Sequence, residues 1–227
     1  MGKKVLITGA TGMIGGLILE LAIQSDEIES VVSIVRRDSG KVHPKLLEIK
    51  IPDFSNPDAS ASFWNSIDIV YYCQGVYTGS VGREEFQKIT VDYPDTLANI
   101  LIQKNHDLVF CLLSGAGADR TEKSRMMFAS DKGRIENKLS QKGFKRFHSF
   151  RPAYIYPVEP REEPNLSYSL FRFLYPVIKR LGKNSSIPST TLAATMFQVG
   201  LRGSEKEILE NIDILNLSEV ILKNSNP

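Results

Sequence analysis

The stretch Val5-Leu6-Ile7-Thr8-Gly9-Ala10-Thr11-Gly12-Met13-Ile14-Gly15-Gly16 decides the fold. Val5 to Ile7 is a short aliphatic run of the kind that forms a buried strand. Behind it come glycines at positions 9, 12 and 15. Apolar residues then recur at helical spacing: Ile14, Leu17, Ile18, Leu21 and Ala22. Strand, glycine turn and helix follow without interruption. Such a unit binds the pyrophosphate of a dinucleotide, because the N–H groups and the dipole at a helix N-terminus face an anion. Gly9 permits the tight turn, Gly12 lets backbone approach phosphate, and Gly15 lets the helix pack close to the strand. Thr11, Met13 and Ile14, which open the helix, belong to the same expected anion site.

Working outward, strands and helices alternate. Runs at 31–35, 46–50, 67–73, 108–113 and 147–150 read as further strands, each continuous enough to be covered on both faces. Helical patterns lie at 59–65, 83–104 and 125–142. This alternation predicts an α/β fold: a three-layer, doubly wound parallel sheet of the Rossmann type. After Arg151-Pro152 the pattern changes. Residues 157–165 carry Pro157, Pro160 and Pro164 and read as a loop. Leu170 to Leu181 reads as a helix kinked near Pro176, 182–188 as a loop, Thr190 to Leu201 as a helix, and Ile208 to Leu217 as a late strand. Residues 153–190 are expected to form a small C-terminal substrate lobe on one domain of 227 residues.

The net charge is +2, and Lys and Arg are scattered, which argues against nucleic acid or a membrane surface as partner. No apolar run reaches membrane-spanning length, and the N-terminus does not read as a signal peptide. Cys73 and Cys111 each fall in an expected buried strand and read as reduced thiols, which fits a cytoplasmic protein. The three histidines lack metal-ligand spacing, so no metal is expected.

Cofactor choice is read near the end of the second strand. An NAD site presents an acid there to bind ribose hydroxyls. This chain has Arg36-Arg37, and its first acid is Asp38. A guanidinium pairs with a 2′-phosphate in fork geometry, and one such bond is worth about 1.5–3 kcal/mol. The expected cofactor is therefore NADP(H), in preference to NAD(H).

Together these features resemble the short-chain dehydrogenase/reductase superfamily in its atypical, NAD(P)-binding branch. The spacing of Gly9, Gly12 and Gly15 is that superfamily's form. Val91-Asp92-Tyr93, with Thr96 and Asn99, looks like its long fourth helix, and Arg151-Pro152-Ala153 looks like its Arg-Pro-Gly stretch. Within the branch, Leu113-Ser114-Gly115-Ala116-Gly117-Ala118-Asp119 and Lys132-Gly133 are similar to the Tat-interacting-protein-like oxidoreductases and the nucleoside-diphosphate-sugar epimerase-like group. The resemblance implies that Asp53-Phe54 lies beside the adenine and that Gln74-Gly75-Val76 passes under the nicotinamide ribose. It also implies that Pro152 and Tyr154 border the nicotinamide. Pairing into a homodimer through Rossmann helices is common in the family.

Members that reduce carbonyls use Tyr-x-x-x-Lys and a Ser. Ser114 and Lys132 match two of these positions, but Phe128 stands four residues before Lys132 where the tyrosine belongs. Losing a positioned acid–base group removes about 10²–10⁴-fold in rate. Tyr77 and Tyr154 are the candidate substitutes. Three readings stay open. One is an NADP-dependent oxidoreductase with unusual acid–base chemistry, acting on a small molecule the sequence does not name. The others are a non-catalytic NADP(H)-binding redox sensor or partner-binding protein, and a sugar-nucleotide epimerase-like enzyme.

Overall fold

The computed structural model describes residues 2–76, 79–158 and 184–225. In chain order its elements are β1 (Lys3–Thr8), α1 (Met13–Gln24), β2 (Ile28–Val35), β3 (Leu46–Lys50), β4 (Ile69–Tyr72), α2 (Arg83–Gln87), a π-helical turn (Lys88–Asp92), α3 (Tyr93–Ile102), β5 (Val109–Leu113), α4 (Met127–Ser140), β6 (Arg146–Arg151), β7 (Tyr154–Tyr156), β8 (Ser186–Pro188), α5 (Ser189–Arg202), β9 (Ile208–Glu210) and α6 (Asn211–Ser225). Seven strands form one parallel sheet in the order β3-β2-β1-β4-β5-β6-β9. The order reverses between β1 and β4. In an open α/β sheet such a reversal leaves a crevice at the carboxyl ends of the strands.

Two cores flank the sheet, and strand periodicity allots residues between them. Val5, Ile7, Ile69, Tyr71, Val109 and Cys111 join one core with residues of α1, α5 and α6. Leu6, Val70, Tyr72, Phe110 and Leu112 join the other with residues of α3 and α4. The layered Rossmann-type α/β fold expected from alternation is present.

Several local expectations need correction. The helix expected at 59–65 is one 3₁₀ turn, Ser62–Trp64. Asp58 takes both the amide and the hydroxyl of Ser60, while Trp64 donates its indole N–H to the Asp58 carbonyl and is fully buried. Those local bonds compete with helix propagation. The helix expected at 83–104 is interrupted by the π turn just before Pro94. Proline has no N–H for an internal helix bond, and the wider turn accommodates the mismatch. The late strand expected over Ile208 to Leu217 ends at Glu210. Asp213 accepts the Glu210 amide, and the spacing of Ile214, Leu217 and Ile221 continues as α6. Within the loop expected at 182–188, Ser186–Pro188 forms β8, which pairs in parallel with β7. These two strands are the described part of the expected lobe. The helix expected from Leu170 to Leu181, Pro160 and Pro164 of the loop, and Tyr77 lie outside the described residues.

Candidate dinucleotide site

The glycine turn is built by close contacts. Gly9 has φ +70°, and a Cβ there would sit 2.7 Å from the Cys73 carbonyl. A Cβ on Gly15 would sit 2.3 Å from the Gly9 carbonyl oxygen. Only glycine lets β1, α1 and the end of β4 meet this closely. Helix α1 starts at Gly12 with no side-chain cap and no acid in its first turn. Its N-terminal amides and dipole are therefore left to an anion rather than satisfied internally.

In front of this turn lies a cleft of about 500 Å³. Gly9, Thr11 and Gly12 form its floor on the α1 side. Ile34, Val35, Arg36, Arg37 and Asp38 wall it at the end of β2, with Ile51 just beyond β3. Cys73, Gln74 and Gly75 close it beyond β4. Arg36 and Arg37 are exposed, and neither forms an ion pair among the described residues. Asp38 does: Lys50 lies 2.6 Å from its carboxylate. The cleft thus joins an uncapped helix start, two uncommitted guanidiniums and an apolar wall, which fits a phosphorylated adenosine group.

The structure brings Gly9, Thr11, Gly12, Arg36, Arg37, Gln74 and Gly75 together as expected residues of one cleft. Met13 lines a neighbouring hollow with Thr11, Gly12, Ser39, Lys41 and Pro157. Ile14 and Gly15 are buried behind the turn. Asp53 and Phe54 lie outside the cleft lining. The Asp53 carboxylate accepts from Ser55, Tyr93 and Lys88, and the Ser55 bonds foremost hold it far below the ordinary carboxylate range. Phe54 is buried against Trp64 and Tyr93. Cleft residues that the sequence reading did not assign to the dinucleotide site are Ile34, Val35, Asp38, Ile51 and Cys73. Ile51 and Cys73 each stand directly after the last residue of a strand, which is where strands of this sheet deliver residues to the crevice. Cys73 is not an activated thiol, since burial pushes it up to about 12 against the opposing Lys132 charge.

Ser114, Phe128 and Lys132 gather where β5 meets α4. The Phe128 ring tip packs over Gly115, so close that a Cβ there would stand 2.8 Å from Cζ. Lys132 donates to the Leu113 carbonyl at 3.2 Å, and its burial pushes it down to about 8 although Glu136 pulls the other way. The Ser114 hydroxyl donates to Glu136 at 2.6 Å. Glu136 is fully buried and also accepts from Ser149 at 2.8 Å, from Arg120, and from Arg151 through two nitrogens. Burial would raise its carboxyl, but the Arg151, Ser114 and Ser149 hydrogen bonds outweigh that and keep it below the usual range. One residue before Lys132, buried Asp131 receives a two-pronged contact from Arg83, at 2.5 and 3.0 Å. These two carboxylates fasten α4 to the β5–β6 edge and to α2. Pro152 is buried, its carbonyl accepting the Ala116 amide, and Tyr154 opens β7; neither lines the cleft.

Cys73 and Cys111 are both free thiols. Among the described residues no helix is long and apolar enough to cross a membrane, and no group of His, Cys, Asp and Glu could hold a metal ion.

Known proteins share this architecture. The Bordetella bronchiseptica enzymes WbmH and WbmF, each solved in complex with NAD+, superpose with TM-scores of 0.64 and 0.68 at 18% and 12% identity. Those matches cover 99% and 98% of this chain and 82% and 79% of theirs. A short chain dehydrogenase family protein from Francisella tularensis subsp. tularensis SCHU S4 superposes with a TM-score of 0.64 at 14% identity, over 90% of this chain and 93% of that one. In sequence, the chain is 26% identical over 167 residues to the mitochondrial protein FMP52 of Candida albicans; the match spans 66% of this chain and 66%, just under two thirds, of that relative's length. Residues 5–169, which carry the glycine turn, the cleft and the β5–α4 junction, match the NAD dependent epimerase/dehydratase family, and the chain belongs to that family.

Proposed function

We propose that this protein binds NADP(H) in the β1–β4 crevice and works as an oxidoreductase of the short-chain dehydrogenase type. The observation that carries the NADP reading is the pair Arg36–Arg37. Both line the cleft, both are exposed, and no carboxylate occupies either one among the described residues. A 2′-phosphate gives them a doubly charged partner, whereas a ribose hydroxyl does not. The uncapped start of α1 holds the pyrophosphate, and Gln74 and Gly75 border the nicotinamide half. In this reading Lys132, at the carboxyl end of the sheet, holds the nicotinamide ribose. Pro152 and Tyr154 flank the same end.

Bound NADPH supplies a hydride. The chain's own residues then set what acceptor is reducible. Phe128 transfers no proton, and the Ser114 hydroxyl is engaged by Glu136, so assisted reduction of a simple ketone lacks two of its usual groups. An activated double bond or a flavin-like acceptor needs less such help. The same two observations favour the second reading, an NADP(H)-binding sensor without turnover. Free thiols at Cys73 and Cys111 support a reducing compartment such as the cytoplasm.

Calorimetric titration with NADPH and NADH tests the proposal. Selective NADPH binding that Arg36→Ala abolishes supports it. Equal binding of the two nucleotides, or an equal loss of both in the variant, overturns the NADP assignment.

A further inference from the structure

Asp38 is an acid at the place where an NAD site keeps one, two residues from Arg36 on the same cleft wall. Left free, its carboxylate would repel a phosphate and accept from ribose hydroxyls. It is not free. Lys50, the last residue of β3, lies 2.6 Å from Asp38 Oδ2. Two residues earlier on the same strand, Glu48 accepts from Ser39 twice, from its amide at 2.8 Å and from its hydroxyl at 2.5 Å. Residues 48 and 50 project from one face of β3. Parallel pairing sets Val35 of β2 against Lys50, so both β3 side chains stand beside the turn that leaves β2. The edge strand thus holds Asp38 and Ser39 at three points.

We propose that Lys50 is a specificity-determining residue: it neutralises Asp38 while Glu48 fixes the turn, and the cleft wall keeps a net positive charge for a 2′-phosphate. This inference rests on the NADP(H) reading above and extends it to residues that line no part of the cleft themselves. Asp38 is mostly exposed and Lys50 about half exposed, so the pair acts by local charge rather than by adding stability.

A double-mutant cycle tests it. NADPH and NADH are titrated by calorimetry, at low ionic strength, into the wild type, Lys50→Met, Asp38→Asn and the double variant. Lys50→Met is expected to weaken NADPH binding about fivefold, the scale of an exposed charge pair, while NADH binding holds or improves. Asp38→Asn alone unmasks the Lys50 charge and is expected to hold or tighten NADPH binding, by up to about fivefold. In the Lys50→Met background the same change is expected to restore NADPH affinity. Failure of Asp38→Asn to restore NADPH affinity in the Lys50→Met background, or equal losses for both nucleotides in Lys50→Met, overturns the role of Lys50. A wild type that does not discriminate the two nucleotides overturns the NADP(H) reading itself, and this inference with it; a discriminating wild type with an unchanged ratio in Lys50→Met overturns this inference alone.

Discussion

Lys132 Nζ lies 3.2 Å from the Leu113 carbonyl oxygen, so one turn of α4 is pinned by its ammonium to the last residue of β5. The same burial that positions the ammonium disfavours its charge. Its folded pKa of about 8 lies below that of an exposed lysine, so holding it charged at neutral pH costs stability, and that cost lifts as pH rises past about 8. Lys132→Met is therefore expected to raise unfolding stability at pH 7 by roughly 1–2 kcal/mol while weakening dinucleotide binding. Urea denaturation and nucleotide titration of the same preparation check both halves. A variant that is less stable and binds normally contradicts the placement.

Ser114 has a structural duty at the buried Glu136 carboxylate. Ser114→Ala removes one hydrogen bond to a buried carboxylate and is expected to cost about 1–2 kcal/mol with no change in nucleotide affinity. Glu136→Ala leaves Arg151 and Arg120 facing each other without their shared anion. It is expected to cost about 3–5 kcal/mol, measured by the urea midpoint.

The glycine turn tolerates no methyl group at its tightest point. Gly15→Ala places Cβ against the Gly9 carbonyl, and the turn must shift. A destabilisation of about 1–3 kcal/mol is expected, with loss of NADPH binding beyond what the stability change explains. Calorimetry on the folded variant makes the distinction.

Acid is expected to weaken the fold through His148. Its ring is buried in β6, Nδ1 contacts the Lys206 carbonyl at 3.0 Å, and Nε2 has no partner among the described residues. Burial lowers its pKa, with Arg146 assisting and the Lys206 carbonyl and Glu207 opposing. A base whose folded pKa is depressed takes up its proton more readily when unfolded. Its stabilising effect is thus complete above the ordinary histidine value, about 6.5, and is lost as pH falls through that value toward the folded pKa. His148→Asn keeps a donor for Lys206 and cannot titrate. Its melting temperature is expected to vary less than the wild type's between pH 7.5 and 5.5.

Much of the sheet was legible because its strands are apolar on both faces. Val31–Val35 and Leu108–Leu113 read alike in sequence and structure. The glycine turn was legible because its spacing reports backbone contacts directly. Ile208 to Leu217 was misjudged because a short apolar run fits strand and helix equally until a capping acid, Asp213, is weighed. The two arginines lie on the cleft as their position implied. The engagement of Ser114 by Glu136 was not legible, since a carboxylate 22 residues away gives no local sign that it will be buried beside the serine.

The Glu136 cluster also bears on how this chain can evolve. Its members come from α4, β6 and the stretch between β5 and α4, and all of them meet at the Glu136 carboxylate. Replacing the group by an apolar set needs several substitutions, and losing Glu136 first leaves the buried Ser114 and Ser149 hydroxyls without their acceptor. Descent would therefore preserve Ser114 for its grip on Glu136 even in a lineage that had given up turnover. At this position an unchanged serine records the architecture of the interior, whereas the exposed Arg36 and Arg37, with no ion pair among the described residues, carry no such constraint from the fold.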